Sequence, residues 1–284
     1  MSAYTVAITK DQGLDQRLIT QLCDMHDIEL IRVSKEISEI DFINKGFEVA
    51  KEDHLVHVAK IMDTVGGLIL PGNKYDVDPK HYNEAFIHPE TLKRININEL
   101  DIRFDVEHEM LINAIQKQLP IIVICGGMQV LNVVLGGKLI QHIPDNKASI
   151  SHRKKGNLDK QDILKWERNF KQHATQGIPK NIYIDHPHTI AVYPGSRLAK
   201  VYKKLNPNIN LNQIKELSLH HQGFSTQELS DQLGIAAIAS DGIIEAVELK
   251  QYSSFFIATQ FHFEYNLGGI AYTVFDQMAQ AIKR

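Results

Sequence analysis

Cys125 is the residue of this chain best placed by its neighbours to act as a nucleophile. It ends the apolar, β-branched run Ile121–Cys125 and precedes Gly126 and Gly127, after which Met128, Leu131, Val134 and Leu135 recur at helical spacing. Strand, tight turn and helix put the thiol at the carboxyl edge of a sheet and at a helix N-terminus. Free N–H groups and the helix dipole there favour the reactive thiolate. The two glycines keep the turn tight and leave the backbone open to a substrate. This is a nucleophile elbow with sulfur in place of oxygen. Cysteine is also among the most buried residue types, and Cys23, in the helical pattern Leu18-Ile19-x-x-Leu22-Cys23, reads as a small apolar core residue.

A thiol nucleophile needs a base, and the base needs a group to orient it. The segment Phe255-Phe-Ile-Ala-Thr-Gln-Phe-His-Phe-Glu264 begins as a buried strand and ends with His262 and Glu264 two residues apart. On an extended backbone both side chains point to one face, where the carboxylate fixes the imidazole tautomer and steadies the imidazolium. The pair is weak evidence alone, but the order Cys…His…Glu differs from the nucleophile–acid–histidine order of serine α/β-hydrolases. The fourteen histidines include the close pairs His186/His188 and His220/His221. Neither comes with the clustered carboxylates or thiolates of a zinc site, so neither a metal nor a cofactor is expected.

The elements that must position these groups alternate between strand and helix. Strands are expected at Tyr4–Thr9, Ile28–Val33, Gly66–Leu70 and Ile121–Cys125, with helices at Asp15–His26, around Glu52–Asp63 and at Glu99–Gln118. Such alternation predicts an α/β fold with a doubly wound, mostly parallel central sheet and a ligand crevice at the carboxyl ends of its strands. The loop 71–98 leaves that edge and is long enough to serve a site. Further strands are expected at Ile182–Ile184, Thr189–Val192, Lys215–Leu219, Gly234–Ala239, Ile243–Leu249 and Phe255–Gln260. The last three form an antiparallel extension, with Ser240-Asp-Gly242 as a turn. A closing helix follows at Asn266–Ile282. Residues 141–180 are polar and basic, a solvated surface excursion that Trp166 and Phe170 would anchor.

At 284 residues and 43% hydrophobic content, one α/β domain over 1–284 is the expectation, with two small domains as the alternative. A formal net charge of −3 carries no global basic field for nucleic acid. No apolar run approaches a membrane span, and two cysteines offer no disulfide framework, so a cytoplasmic protein is expected. A homodimer is compatible with this reading.

Several motifs together resemble the class I glutamine amidotransferase superfamily, and within it the stand-alone γ-glutamyl hydrolases. Gly67-Leu-Ile-Leu-Pro-Gly-Asn-Lys-Tyr-Asp-Val-Asp-Pro-Lys-His-Tyr-Asn-Glu84 is similar to that family's Pro-Gly-Gly loop and its continuation. Cys125-Gly-Gly-Met-Gln-Val-Leu-Asn132 with Leu135-Gly-Gly137 resembles its elbow and helix. His188 with Pro194-Gly-Ser-Arg-Leu198 resembles its substrate-side strand, and Ser218-Leu-His-His-Gln222 its histidine–glutamine segment. Ser240-Asp-Gly-Ile-Ile-Glu-Ala246 and Gln260-Phe-His-Phe-Glu264 complete the series in family order. The chain departs from the family at Val123, where glycine is frequent, at Gly126, where arginine is frequent, at Asn73 in the Pro-Gly-Gly loop, and at Phe263 in the His-Pro-Glu motif.

The resemblance implies a flavodoxin-like amidotransferase fold and acyl transfer through a thioester on Cys125. His262 would be the base and Glu264 its orienting acid, with backbone N–H groups of Gly72, Asn73 and Gly126 as the oxyanion hole. It also implies that Gln129, Ser218, His220, His221 and Gln222 wall the pocket for a small-molecule γ-glutamyl substrate. Asp76, Asp78, Tyr82 and Glu84 would shape the amine side, where acids would suit a polyamine-type leaving group. A glutaminase subunit feeding ammonia to a separate synthetase is the second reading, and a non-catalytic binding protein on the same fold the third. Intact Cys125, His262 and Glu264 speak against the third.

Overall fold

The computed structural model describes residues 4–10, 14–98, 100–143 and 188–283. Most of the polar segment 141–180, with Trp166 and Phe170, lies outside the described residues, as does the expected strand Ile182–Ile184. Nine strands form one sheet among the described residues: β1 Thr5–Thr9, β2 Glu29–Val33, β3 Gly67–Leu70, β4 Ile121–Ile124, β5 His188–Val192, β6 Ile214–Glu216, β7 Leu233–Ala239, β8 Ile244–Leu249 and β9 Phe256–Thr259. Their order is β2-β1-β3-β4-β9-β8-β7-β5-β6. The pairs from β2 to β9 are parallel, and those from β9 to β6 are antiparallel. This is the mixed sheet the sequence predicts, with the parallel half carrying the strand ends of interest.

Side-chain alternation explains why the sheet is covered on both faces. Val6, Ile8, Ile69, Ile122 and Ile124 point to one side, where they pack with α1 (Leu14–Asp24), α7 (Arg197–Leu205) and α8 (Tyr272–Ile282). Ala7, Leu68, Leu70, Ile121 and Val123 point to the other, against α3 (Phe47–Met62), α5 (Arg103–Gln116) and α6 (Gly126–Val134). Strands buried on both faces read as continuous apolar runs, which is how Ile121–Ile124 and Phe256–Thr259 appear in the sequence.

Several boundaries differ from expectation. Ser38 caps a helix that the sequence pattern missed, α2 (Glu39–Lys45), whose residues are all at least partly exposed. Its apolar side chains therefore follow no buried stripe. Gly46, at φ 77°, turns the chain into α3, which starts before Glu52. The loop 71–98 holds a 3₁₀ turn at Pro79–Tyr82, capped by Asp78, and the short helix α4 (Pro89–Leu92). The segment Pro194–Leu198 is not strand. It turns into α7, with the Ser196 hydroxyl accepting from the Ala199 N–H. Strand β6 ends at Glu216, so the Ser218–Gln222 segment leaves the sheet. A π-type turn at Leu267–Ala271 precedes α8, where one continuous helix was expected.

Candidate active site

Register brings the ends of three strands together. Leu70 of β3 pairs with Val123 of β4, and Ile124 of β4 pairs with Thr259 of β9, all parallel. The chain that follows each strand therefore emerges at one edge: the Pro71–Asn73 loop, Cys125, and Gln260–His262. Cys125 has φ 47° and ψ −110°, a conformation that non-glycine residues rarely adopt. It is held there by its N–H donating to the Thr259 carbonyl (2.7 Å) and by its own carbonyl accepting from Met128 N–H (2.9 Å) and Gln129 N–H (3.2 Å). The strained corner is the elbow anticipated from the sequence. Gly127 is required behind it, since a Cβ there would lie 2.8 Å from the Leu70 carbonyl oxygen and 3.1 Å from Val123 Cγ1. Val123 itself is fully buried in β4, so the side chain that replaces the frequent glycine packs into the core.

His262 and Glu264 pair as expected, but not on an extended backbone. Strand β9 stops at Thr259, whose hydroxyl donates to the Phe261 carbonyl (2.8 Å), and Phe263–Tyr265 form a 3₁₀ turn. The turn brings Glu264 Oε1 to 2.6 Å from His262 Nδ1. Phe263, in the place of proline, is wholly buried in the core. The His262 N–H donates to the Leu217 carbonyl (2.8 Å), which fixes the residue from the far side. Burial alone would lower the proton affinity of His262. The Glu264 carboxylate, then the nearby Cys125 sulfur, with which the imidazole shares a hydrogen bond, outweigh it and hold His262 well above the ordinary imidazole value. The thiol, imidazole and carboxylate are nearly fully buried.

The other expected site residues form the wall of this corner more than its surface. Gln129, on α6, donates to the Gln222 carbonyl (2.9 Å) and to Gln260 Oε1 (3.3 Å). The Gln222 side chain clasps the backbone of Val77, accepting from its N–H (3.0 Å) and donating to its carbonyl (3.3 Å). His221 Nε2 lies 2.5 Å from Asp76 Oδ2. Ser218 Oγ, His220 Nε2 and His188 Nε2 converge on fully buried Glu245 at 3.3, 3.3 and 3.1 Å. The Ser218–Gln222 segment is thus tied to the loop after β3 through Gln222 and His221, and to β8 through Glu245.

The structure adds residues that pattern reasoning missed. Gln260 Nε2 lies 3.5 Å from the Cys125 sulfur. It is a polar residue two positions before His262 at the end of an apolar run, and it opens the Gln260-Phe-His-Phe-Glu264 motif without an assigned task. Glu245 was visible inside the Asp-Gly-Ile-Ile-Glu motif but had no assigned task. The amine-side acids are engaged locally: Asp76 with His221, Asp78 with the Lys80 N–H and ammonium, and Glu84 with Lys138 at 2.7 Å. The Tyr82 hydroxyl is buried without a partner among the described residues. No cluster of three histidine, cysteine or carboxylate side chains among the described residues has an arrangement that could hold a metal. No described helix is long and apolar enough to cross a membrane.

A doubly wound sheet carrying a cysteine elbow beside a histidine–carboxylate pair defines an amidotransferase-like class. Two solved structures share the fold: a GMP synthase-type protein of Thermoplasma acidophilum (TM-score 0.53, 12% identity, 98% of this chain and 94% of that one) and the acivicin-bound glutaminase domain of Trypanosoma brucei CTPS (TM-score 0.52, 17% identity, 97% and 93%). The chain belongs to the Peptidase C26 family, which matches residues 47–264. It is 31% identical over 243 residues to a putative glutamine amidotransferase-like protein of Rickettsia prowazekii, covering 80% of each chain. It is also 26% identical over 208 residues to a γ-glutamyl-γ-aminobutyrate hydrolase of Escherichia coli, covering 73% of this chain and 67% of that one. A hydrolase of the glutamine amidotransferase type is therefore established as its class.

Proposed function

We propose that this protein hydrolyses the γ-glutamyl amide bond of a small γ-glutamyl amine through a thioester on Cys125. The observation that carries the reading is the 2.6 Å contact between His262 and Glu264 beside a thiol held at a strained strand–helix corner. The carboxylate raises the proton affinity of the imidazole, which favours a thiolate–imidazolium pair. The sulfur adds to the γ-carbonyl, and the carbon–oxygen double bond becomes an oxyanion facing the N–H groups of Gly126 and the Gly72–Asn73 loop. Each such donor is typically worth about 2.7–4 kcal/mol in the transition state. Collapse breaks the carbon–nitrogen bond as the amine takes the proton from His262. Water then gives a proton back to His262 and its oxygen to the acyl carbon, releasing glutamate and the thiol.

The leaving amine is proposed to be amino-acid-like rather than a polyamine. Asp76, Asp78 and Glu84 are each paired locally, so they offer little free negative charge to a cationic tail. The relative named for γ-glutamyl-γ-aminobutyrate takes its name from a substrate whose amine-derived part ends in a carboxylate. The test is glutamate release from two γ-glutamyl amides of equal length, one ending in a carboxylate and one in an ammonium, with Cys125→Ala as control. Preference for the ammonium substrate would restore the polyamine reading. Hydrolysis of glutamine alone, and only after a second protein is added, would favour the glutaminase-subunit reading.

A further inference from the structure

Arg103 opens α5, and only about a tenth of its side chain is exposed. Its Nε donates to Glu107 Oε1 at 3.0 Å, one helical turn on, and Nη1 donates to the Tyr75 carbonyl at 3.4 Å. Nη2 is buried and has no acceptor among the described residues, and neither has Glu107 Oε2 a donor. Buried donors without acceptors are rare because each forfeits its hydration. An apolar pair at 103 and 107 would avoid the penalty of burying two charges. The direction of Nη2 accounts for the exception. A Cβ built on Gly126 would lie 3.2 Å from Nη2, 3.2 Å from Asn73 N and 3.4 Å from Asn73 Cβ. The free edge of the guanidinium and the Asn73 backbone therefore both border the space that a Cβ on the residue after the nucleophile would fill. The same side chain reaches that loop a second time at Tyr75, whose N–H donates to Asn73 Oδ1 at 2.9 Å.

We propose that Arg103 is a positioning residue for the reaction: its guanidinium, braced by Glu107, holds the Tyr75 carbonyl and fills space between the Asn73 loop and the Gly126 elbow, and so sets the N–H groups that meet the oxyanion. The inference rests on the hydrolase reading above and deepens it. Arg103 acts on the carbonyl oxygen through Gly126 and Asn73, not on the sulfur. A Cβ at 126 would need the fork, or the Asn73 backbone, to give by a few tenths of an ångström.

The test combines a double-mutant cycle with a thiol probe on the full chain. Arg103→Ala should lower kcat on a γ-glutamyl amide by roughly 100-fold with KM little changed, the size of losing one oxyanion donor. Arg103→Lys keeps a partner for Glu107 and guards against loss of the fold. It should lose most of the same activity, because an ammonium cannot reproduce the planar fork that both pairs with Glu107 and holds the Tyr75 carbonyl. Millimolar guanidinium should restore part of the Arg103→Ala rate and none of the Arg103→Lys rate. Gly126→Ala should cost activity in the wild type and less in Arg103→Ala, where only the approach to Asn73 remains. Alkylation of Cys125 by iodoacetamide should be unchanged in Arg103→Lys.

A wild-type kcat in Arg103→Ala, multiplying losses in the cycle, or alkylation falling in step with kcat would each overturn the proposal. Should the wild type cleave no γ-glutamyl amide, the hydrolase reading falls. Melting temperatures of the same four proteins then decide on Arg103, with additive shifts ending the proposal and coupled shifts sustaining the clamp.

Discussion

At the scale of single residues, the proposed chemistry is concentrated in Cys125, His262 and Glu264. Cys125→Ala or Cys125→Ser should abolish turnover and leave the melting temperature near that of the wild type, while Cys23→Ala should leave turnover intact. Cys23 lies in the core, where burial pushes its thiol up and out of reach of reagents, so a γ-glutamyl affinity label should mark Cys125 alone. His262→Ala should lose most of the rate and Glu264→Gln less, as orientation survives while the imidazolium loses its counter-charge. The pH profile separates these roles. Glu264 raises the proton affinity of His262 against the opposing effect of burial. Removing the charge must therefore move the alkaline limb of kcat/KM toward lower pH. A limb that stays in place would assign it to another group. The cysteine elbow and the His262–Glu264 contact were legible because residue type and order point to them. Arg103 was not, because an arginine at the start of an apolar helix face looks like any solvated helix residue until Gly126 is seen beside it.

At the scale of elements, close approach matters more than chemistry. Gly127→Ala would set a Cβ 2.8 Å from the Leu70 carbonyl oxygen. The cost should be about 1–3 kcal/mol, as for other overpacked sites, read as a lower melting temperature together with slower Cys125 alkylation. Glu245→Gln leaves the reacting groups untouched but loosens Ser218, His188 and His220. It should raise KM with kcat largely kept, and an equal fall in both would move Glu245 into the chemical step. The strand series and the helices against it were readable from continuous apolar runs and helical patterns, since both are local. The 3₁₀ turn under Glu264 was not. His-x-Glu reads as alternating strand, and only the bend after Thr259, fixed by its hydroxyl and by the Leu217 carbonyl from a distant segment, converts it to a turn. Helix α2 escaped for the opposite reason: with none of its residues buried, it has no apolar stripe to detect.

At the scale of the whole molecule, the mixed sheet was foreseeable in its parallel and antiparallel halves, because loops and helices separate the early strands while a short turn joins β7 to β8. The nine-strand order was not, since β9 inserts between β4 and β8 by long-range pairing that no local pattern encodes. Buried charge also acts at this scale. Glu216 accepts from the Tyr202 hydroxyl at 2.5 Å. Burial raises its pKa to about 7, with Tyr202 opposing and Glu264 adding to the rise. A carboxyl that holds its proton more tightly folded than unfolded costs stability as pH climbs from its unfolded value through the folded one. Glu216→Gln should therefore raise the melting temperature, more at pH 8 than at pH 5. An equal gain at both would show that Glu216 stays neutral throughout.

The insertion of β9 has a consequence for how the site comes together along the chain. Nucleophile and base meet only through strands whose contact residues, Cys125 and Gln260, stand 135 positions apart. A chain leaving the ribosome exposes its thiol long before β9 exists to sit beside it. The proposed site is therefore complete only once β9 lies in the middle of the sheet.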